Sequence, residues 1–339
     1  MRISEFGGEQ AVISLIAEKY GCRPPGSLLR GIGDDAALIQ ISADRALIVT
    51  TDLLIENTHF RRDLIDPYSL GWKSVAVNIS DIAAMAGDPT YTFCSVAFDD
   101  VDISYIESLY EGMRDCADAY ATHIAGGDTN VSRDRWVISV TQLGEVPPAR
   151  AVLRSGAQPG DLLLVTGSLG DSKAGLELLF KYGLETAAEL NPRAVEAHLR
   201  PKPRVGEAIA AAVAGRVHAL MDISDGLAAD LPKLCAASGV GAIVAAESLP
   251  ISNALTAAAQ QLDCEALQLA LQGGEDYELL LAVPESDADI IRAAVSSSTG
   301  TQVTIIGSIT AGPDVLAEMP DGTRAPLSGG WEHFSRESK

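Results

Sequence analysis

From Gly31 to Asp52 the chain reads GIGDDAALIQISADRALIVTTD, a glycine turn carrying Asp34 and Asp35 and then an apolar run ending in Thr50, Thr51 and Asp52. Adjacent like charges repel, so two neighbouring carboxylates with a third delivered by a strand end are most simply held together by a cation. Gly31, Gly33 and Ala36 match the spacing of a dinucleotide-binding loop, but that loop must open a helix. Here the following residues, 36–41 and 46–51, alternate as two strands joined by a polar turn, and an acidic pair stands where a pyrophosphate would sit.

The stretch belongs to a chain of 339 residues, long enough for two domains. Its formal charge is −21, from 46 acidic against 25 basic residues, which excludes a nucleic-acid or anionic-membrane surface built on clustered Lys and Arg. An anionic ligand must then enter through divalent metal held by the surplus carboxylates. Cys22, Cys94, Cys116, Cys235 and Cys264 form no C-x-x-C pair, so neither a disulfide framework nor a zinc knuckle is signalled, and all five are expected to be buried. With no signal-peptide core and no apolar run near the ~20 residues of a membrane helix, a cytoplasmic protein is expected.

Upstream, residues 9–20 form a short amphipathic helix ended by Gly21 and the Pro24-Pro25-Gly26 break. Downstream, Asp66-Pro67 is a helix start, with Asp as cap and Pro at the first position, and the helix continues to about Met85. It is apolar on most sides, yet Ser74, Asn78 and Asp81 share one stripe, which reads as the wall of a wet enclosed site with Asp81 as a ligand. A strand over 91–97, a helix over 104–120 and a short strand at 123–125 ending on a glycine turn with Asp128 follow, then a strand over 136–145. Pro147-Pro148 marks the passage into a second region, giving domains 1–148 and 149–339.

That region opens with a strand over 161–165 and a glycine-rich turn before a helix from Ser172, a plausible anion site but not a Walker loop, since no G-K-[ST] occurs. A helix over 204–216, a strand to Ile223, strands over 279–283 and 303–309 and a helix over 287–296 complete it. Pro232 implies a helix start or kink after Leu227. N-I-S-D from Asn78 echoes D-I-S-D from Asp222, as if two related domains each offered a carboxylate to a shared cleft. His123, His198, His218 and His333 lack partner spacing and read as structural.

The candidates are then Asp34, Asp35, Asp52, Asp81, Asp128, Asp222 and Asp225. Magnesium is bound by a few carboxylates plus substrate phosphates, so this set points to nucleotide-dependent phosphoryl chemistry. The motifs GIGDDAA, TTD, NTHF, VNISDIAAM, GGDT, LRSGA, DISDGL, GGEDYEL and GWEHF, in this order over nearly the whole chain, resemble those of the AIR synthetase-like (PurM-like) ATP-binding enzymes, and within them the branch that phosphorylates thiamine monophosphate. The resemblance implies a two-domain α+β fold, its N-terminal domain pairing in a homodimer and its C-terminal domain closing the nucleotide cleft. It implies transfer from ATP to thiamine phosphate, giving ADP and thiamine diphosphate, with several magnesium ions.

Carried over by position, Asp35, Thr50, Thr51, Asp52, Asp81, Asp128, Asp222 and Asp225 are the implied metal ligands. Gly127, Asp128, Arg154 and Ser224 are the implied nucleotide contacts, and His59, Glu275 and Trp331 the implied contacts to thiamine phosphate. The acceptor is a phosphate already ionised near neutral pH, so no general base is expected, only direct in-line transfer. Two alternatives stay open: a relative acting on a purine intermediate, and a non-catalytic nucleotide-binding module. Selenide and carbamoyl chemistry would each want a reactive cysteine that the N-terminal segment and the tail do not offer.

Overall fold

The computed structural model describes residues 3, 8–20 and 26–332. Gly21, Cys22, Pro24, Pro25, His333 and Phe334, which figured in the sequence reading, lie outside the described residues. Strands β1 (Leu28–Arg30), β2 (Ala37–Gln40), β3 (Ala46–Ile55), β4 (Asp88–Phe98), β5 (His123–Val131) and β6 (Val137–Val146) form a first sheet in the order β1-β2-β3-β6-β4-β5. Strands β7 (Leu162–Thr166), β8 (Ala219–Ile223), β9 (Gly241–Ala245), β10 (Glu278–Val283), β11 (Val303–Thr310), β12 (Val315–Glu318) and β13 (Arg324–Pro326) form a second, ordered β13-β12-β9-β11-β7-β10-β8. Pairing is antiparallel except between β4 and β5 and between β9 and β12. The expected two-domain α+β architecture is therefore what the chain adopts.

One element links both halves. The helix Pro67–Ala84 begins as the sequence dictates, Asp66 accepting the Ser69 amide at 2.9 Å and Pro67 filling the first turn. Leu70, Ile79 and Ile82 are wholly buried, each stabilising the fold by about 1.5–3 kcal/mol. It crosses the helix Ile103–Ala119 at a pair of glycines: a Cβ on Gly71 would meet the Leu109 carbonyl oxygen at 1.9 Å, and one on Gly112 the Tyr68 carbonyl oxygen at 1.9 Å. Its opposite side meets the second domain, where Trp72 Nε1 donates to the Pro201 carbonyl at 2.9 Å. These two helices cover one face of the first sheet. On the other face Leu53, Tyr91 and Phe93 are exposed.

The second sheet is covered on both faces, which is why β8 and β10 are buried at every residue. Leu220, Leu279 and Leu281 pack towards the helices Val205–Ala214 and Glu285–Thr299, while Met221, Ile223 and Leu280 join the core beneath Asp171–Tyr182 and Leu227–Ser238. Three expectations are corrected. The helix Leu227–Ser238 starts at Leu227 behind Gly226 and runs through Pro232, so the proline does not mark its start. Cys264 is exposed, just past the left-handed Asp263 that ends the helix Asn253–Leu262, whereas Cys94, Cys116 and Cys235 are buried. Finally, β5 runs through Gly126–Thr129 rather than turning there, because β4 supplies a parallel partner and Gly127, at φ 155°, lets the chain lie against it: a Cβ would meet the Cys94 carbonyl oxygen at 1.7 Å.

Candidate active site

Where the two domains meet, carboxylate oxygens of Asp35, Asp81 and Asp222 lie within 4.8 Å of one another. The glycine turn before β2 brings Asp35, the linking helix brings Asp81, and the buried end of β8 brings Asp222. Each is oriented by a neighbour. Thr50 donates to Asp81 Oδ2 at 2.5 Å, Ser80 donates to Asp222 Oδ2 at 2.5 Å, and the Arg154 guanidinium pairs with Asp35 Oδ1. Asp35 Oδ2 is buried with no hydrogen-bond donor among the described residues. Three crowded carboxylates with an orphaned oxygen fit a hard divalent cation.

Electrostatics agree with that fit. Burial, reinforced by Asp35, pushes the Asp222 carboxyl up to about 8. Burial and then Asp225 push Asp52 up to about 6, and burial with the repulsion of Asp52, Asp222 and Asp35 holds Asp81 well above the carboxylate range. Asp52 shares the cluster's field, and its backbone amide donates to Asn78 Oδ1 at 2.9 Å. Of the Ser74, Asn78, Asp81 stripe only Asp81 joins the cluster: Ser74 and Asn78 are fully buried, Ser74 Oγ donating to the Gly71 carbonyl at 2.8 Å and Asn78 holding the Asp52 amide.

Other candidates fall elsewhere. Asp34 is a turn-former, ion-paired to Arg30 Nε at 2.8 Å and accepting the Arg154 amide at 3.1 Å. The Thr51 side chain, alternating with Thr50 and Asp52, lies on the open face of the sheet and donates to the Val140 carbonyl at 3.1 Å, so any ligand it offers this cluster is a backbone oxygen. Asp128 is exposed on edge strand β5, accepting the Thr129 amide at 2.9 Å. The register Leu53–Ser139–Ser95–Asp128 sets it three strand spacings, about 14 Å, from the neighbour of Asp52.

Asp225 and Ser224 occupy the loop after β8. Their amides donate to Asp230 Oδ2 at 2.8 and 3.0 Å, and Lys233 bridges Asp225 and Asp230 at 2.6 and 2.8 Å. The echo between Asn78 and Asp222 is not a duplication, since its two copies lie mid-helix and at a strand end. The glycine-rich turn before the helix Asp171–Tyr182 is already filled by a carboxyl: Asp276 accepts the Gly170 amide at 2.6 Å and the Ser172 amide at 3.2 Å.

Glu275, next along, sits at φ 64° and is ion-paired to Lys73 Nζ at 2.9 Å. Burial pushes its carboxyl up, but Lys73, His198 and His59 outweigh burial and the net shift is downward. His59 follows β3, its Nδ1 accepting the Ile55 amide at 3.0 Å. Trp331, with a half-exposed ring, is tied by its amide to the Asp225 carbonyl at 2.9 Å, so the tail reaches the rim of the cleft. Lys73 and Ser80 were missed. A lysine in a helix that is apolar on most sides was the available signal for the first.

A family model described as AIR synthase related protein, N-terminal domain, matches residues 33–146, and its C-terminal counterpart matches residues 158–318. The chain is 38% identical over 306 residues to the thiamine-monophosphate kinase of Escherichia coli K12, covering 90% of this chain and 92% of that one. It is 35% identical to the thiamine-monophosphate kinase of Aquifex aeolicus, covering 98% of this chain and 100% of that one. Among solved structures, AaThiL complexed with AMPPCP and TMP superposes with a TM-score of 0.85 at 34% identity, covering 98% of this chain and 99% of that chain.

Proposed function

From the premise that the chain belongs to the thiamine-monophosphate kinases of the AIR synthase related family, we propose that it transfers the terminal phosphoryl group of ATP to thiamine monophosphate, yielding ADP and thiamine diphosphate. The observation that carries this reading on the molecule itself is the Asp35–Asp81–Asp222 cluster at the domain junction. A purine acceptor and a binding-only role find no comparable support.

The residues that would hold magnesium are Asp35, Asp81 and Asp222, with Asp52, Asp225 and Thr50 around them. Bound there, the ions would neutralise charge on the phosphates of ATP and of the acceptor. The chain's own part is positioning. Thr50, Ser80 and Arg154 hold the three carboxylates in place, and Arg154 is a bidentate donor suited to a phosphate as well as to Asp35. Ser224 and the Gly127-Asp128 backbone are the further nucleotide contacts in this reading. His59, Glu275 and Trp331 receive thiamine phosphate, the indole facing its cationic ring and Glu275 accepting from its amine. The acceptor oxygen is already ionised, so no residue is assigned as general base.

We place the reaction in a homodimer. The open sheet face, with Leu53, Tyr91 and Phe93 exposed, is the apolar patch a second copy would cover. Thr51 and Asp128 share that face. The direct test is turnover with ATP, magnesium and thiamine monophosphate against thiamine as control. Product only from the monophosphate supports the reading, and ATP left intact contradicts it.

A further inference from the structure

The Lys73 ammonium is 1% exposed on the helix Pro67–Ala84, inside the junction between the domains. It has two neighbours there, Glu275 Oε1 at 2.9 Å and His198 Nε2 at 3.4 Å. His198, from the helix Pro192–Leu199, turns its other nitrogen to Glu275 Oε2 at 3.3 Å and to Ser172 Oγ at 3.2 Å. Burial, and then Lys73, push the His198 imidazole down to about 3, so the ring is neutral. Its roles then follow from the donor inventory: Lys73 donates to Nε2, and Nδ1 faces both Ser172 Oγ and Glu275 Oε2. Glu275 is thereby met from two different domains, Oε1 by the Lys73 ammonium and Oε2 by the His198 ring.

The backbone beneath that carboxylate is constrained as well. Glu275 and Tyr277 both adopt left-handed φ, 64° and 51°, which costs non-glycine residues free energy and persists only where the surroundings enforce it. Between them Asp276 caps the helix Asp171–Tyr182, and the Glu275 amide donates to the Ser224 carbonyl at 2.7 Å. The side chain still has 27% of its surface exposed, and each oxygen keeps a lone pair.

We propose that Lys73 and His198 are positioning residues for the acceptor: they fix the Glu275 carboxylate across the domain junction so that its remaining lone pairs meet the substrate's hydrogen-bond donor. The inference rests on the reading of Glu275 as a substrate contact. A carboxylate held from both domains accepts the substrate without first losing side-chain freedom, and it presents that geometry only when the domains are packed.

The test is steady-state kinetics of Glu275→Gln, Lys73→Met, Lys73→Arg, His198→Asn and the Lys73→Met/Glu275→Gln double variant, varying thiamine monophosphate and ATP separately. The inference predicts that Lys73→Met raises KM for thiamine monophosphate at least tenfold, with kcat within threefold and KM for ATP within twofold. Lys73→Arg recovers part of the loss, His198→Asn gives a smaller rise, and the double variant is no worse than Glu275→Gln alone. Glu275→Gln raising KM while Lys73→Met and His198→Asn leave it unchanged overturns the inference but spares the substrate contact. If Glu275→Gln itself is silent, the substrate-contact reading fails and the inference with it. Should Lys73→Met not fold, His198→Asn and Lys73→Arg decide: an unchanged KM in both overturns the proposal.

Discussion

The Ser80 hydroxyl donates to Asp222 Oδ2 at 2.5 Å, from the helix of the first domain to a strand end of the second. Asp35 and Asp81 ride on one domain and Asp222 on the other, so the carboxylate cluster exists only while the domains are packed. Removing a single carboxylate should therefore act on activity and on metal-free stability in opposite directions. Asp81→Asn and Asp222→Asn are expected to lower turnover by roughly 10²–10³ and to raise the melting temperature in EDTA, because each relieves buried like-charge repulsion. Retained turnover in both would contradict the metal assignment.

The same crowding sets a pH dependence. The carboxyls of Asp222 and Asp81 hold their protons well above the ordinary value of 3.8, Asp222 to about 8, so at intermediate pH the folded chain binds protons that the unfolded chain has released. Stability of the metal-free protein then falls as pH rises through that window. His198 works the other way, held neutral down to about 3 against an ordinary 6.5, and its contribution grows between those values. The clean interval is pH 6.5 to 8, where thermal unfolding in EDTA should show a falling melting temperature and added magnesium a growing rescue. A metal-free melting temperature that rises across this interval would contradict the cluster's electrostatics.

Much of this site could be read before any coordinates. Asp35, Asp81 and Asp222 each carry a local signal, a glycine turn, a polar stripe on an apolar helix and a strand end, and local signals survive folding. What could not be read depends on which strand lies beside which. Thr51 looks equivalent to Thr50 until strand alternation sends it to the opposite face. Asp128 looks like a turn residue until β4 appears as its parallel partner. Glu275 shows why contacts outrun motifs: its neighbours Lys73 and His198 lie 202 and 77 positions away in sequence, and only the domain junction brings them together. The two-domain build was legible in the chain, whereas Pro232 marks no helix start because a proline inside a packed helix can be tolerated by its surroundings.

At the rim of the cleft, Trp331 offers an aromatic face worth roughly 0.5–2 kcal/mol to a cationic ring. Trp331→Ala should raise KM for thiamine monophosphate by about two- to thirtyfold, leave KM for ATP unchanged and be largely rescued by Trp331→Phe. Equal effects on both substrates would assign the residue to the tail's docking on the Asp225 carbonyl instead.

Across the open sheet, Phe93 and Tyr91 are the exposed aromatic side chains on β4. Phe93→Asp would place a charge in the middle of the face proposed to pair with a second copy, and if that pairing holds light scattering should show a dimer becoming a monomer with turnover lost alongside. A wild-type protein of monomer mass at micromolar concentration would contradict the pairing.

Phosphorus NMR of the purified protein with magnesium, ATP and thiamine monophosphate, beside a control containing thiamine, addresses the proposed reaction itself. Thiamine diphosphate appearing with stoichiometric ADP, and no phosphorylated product from thiamine, is the expected result. ATP left intact, or consumed without a diphosphate product, would contradict it.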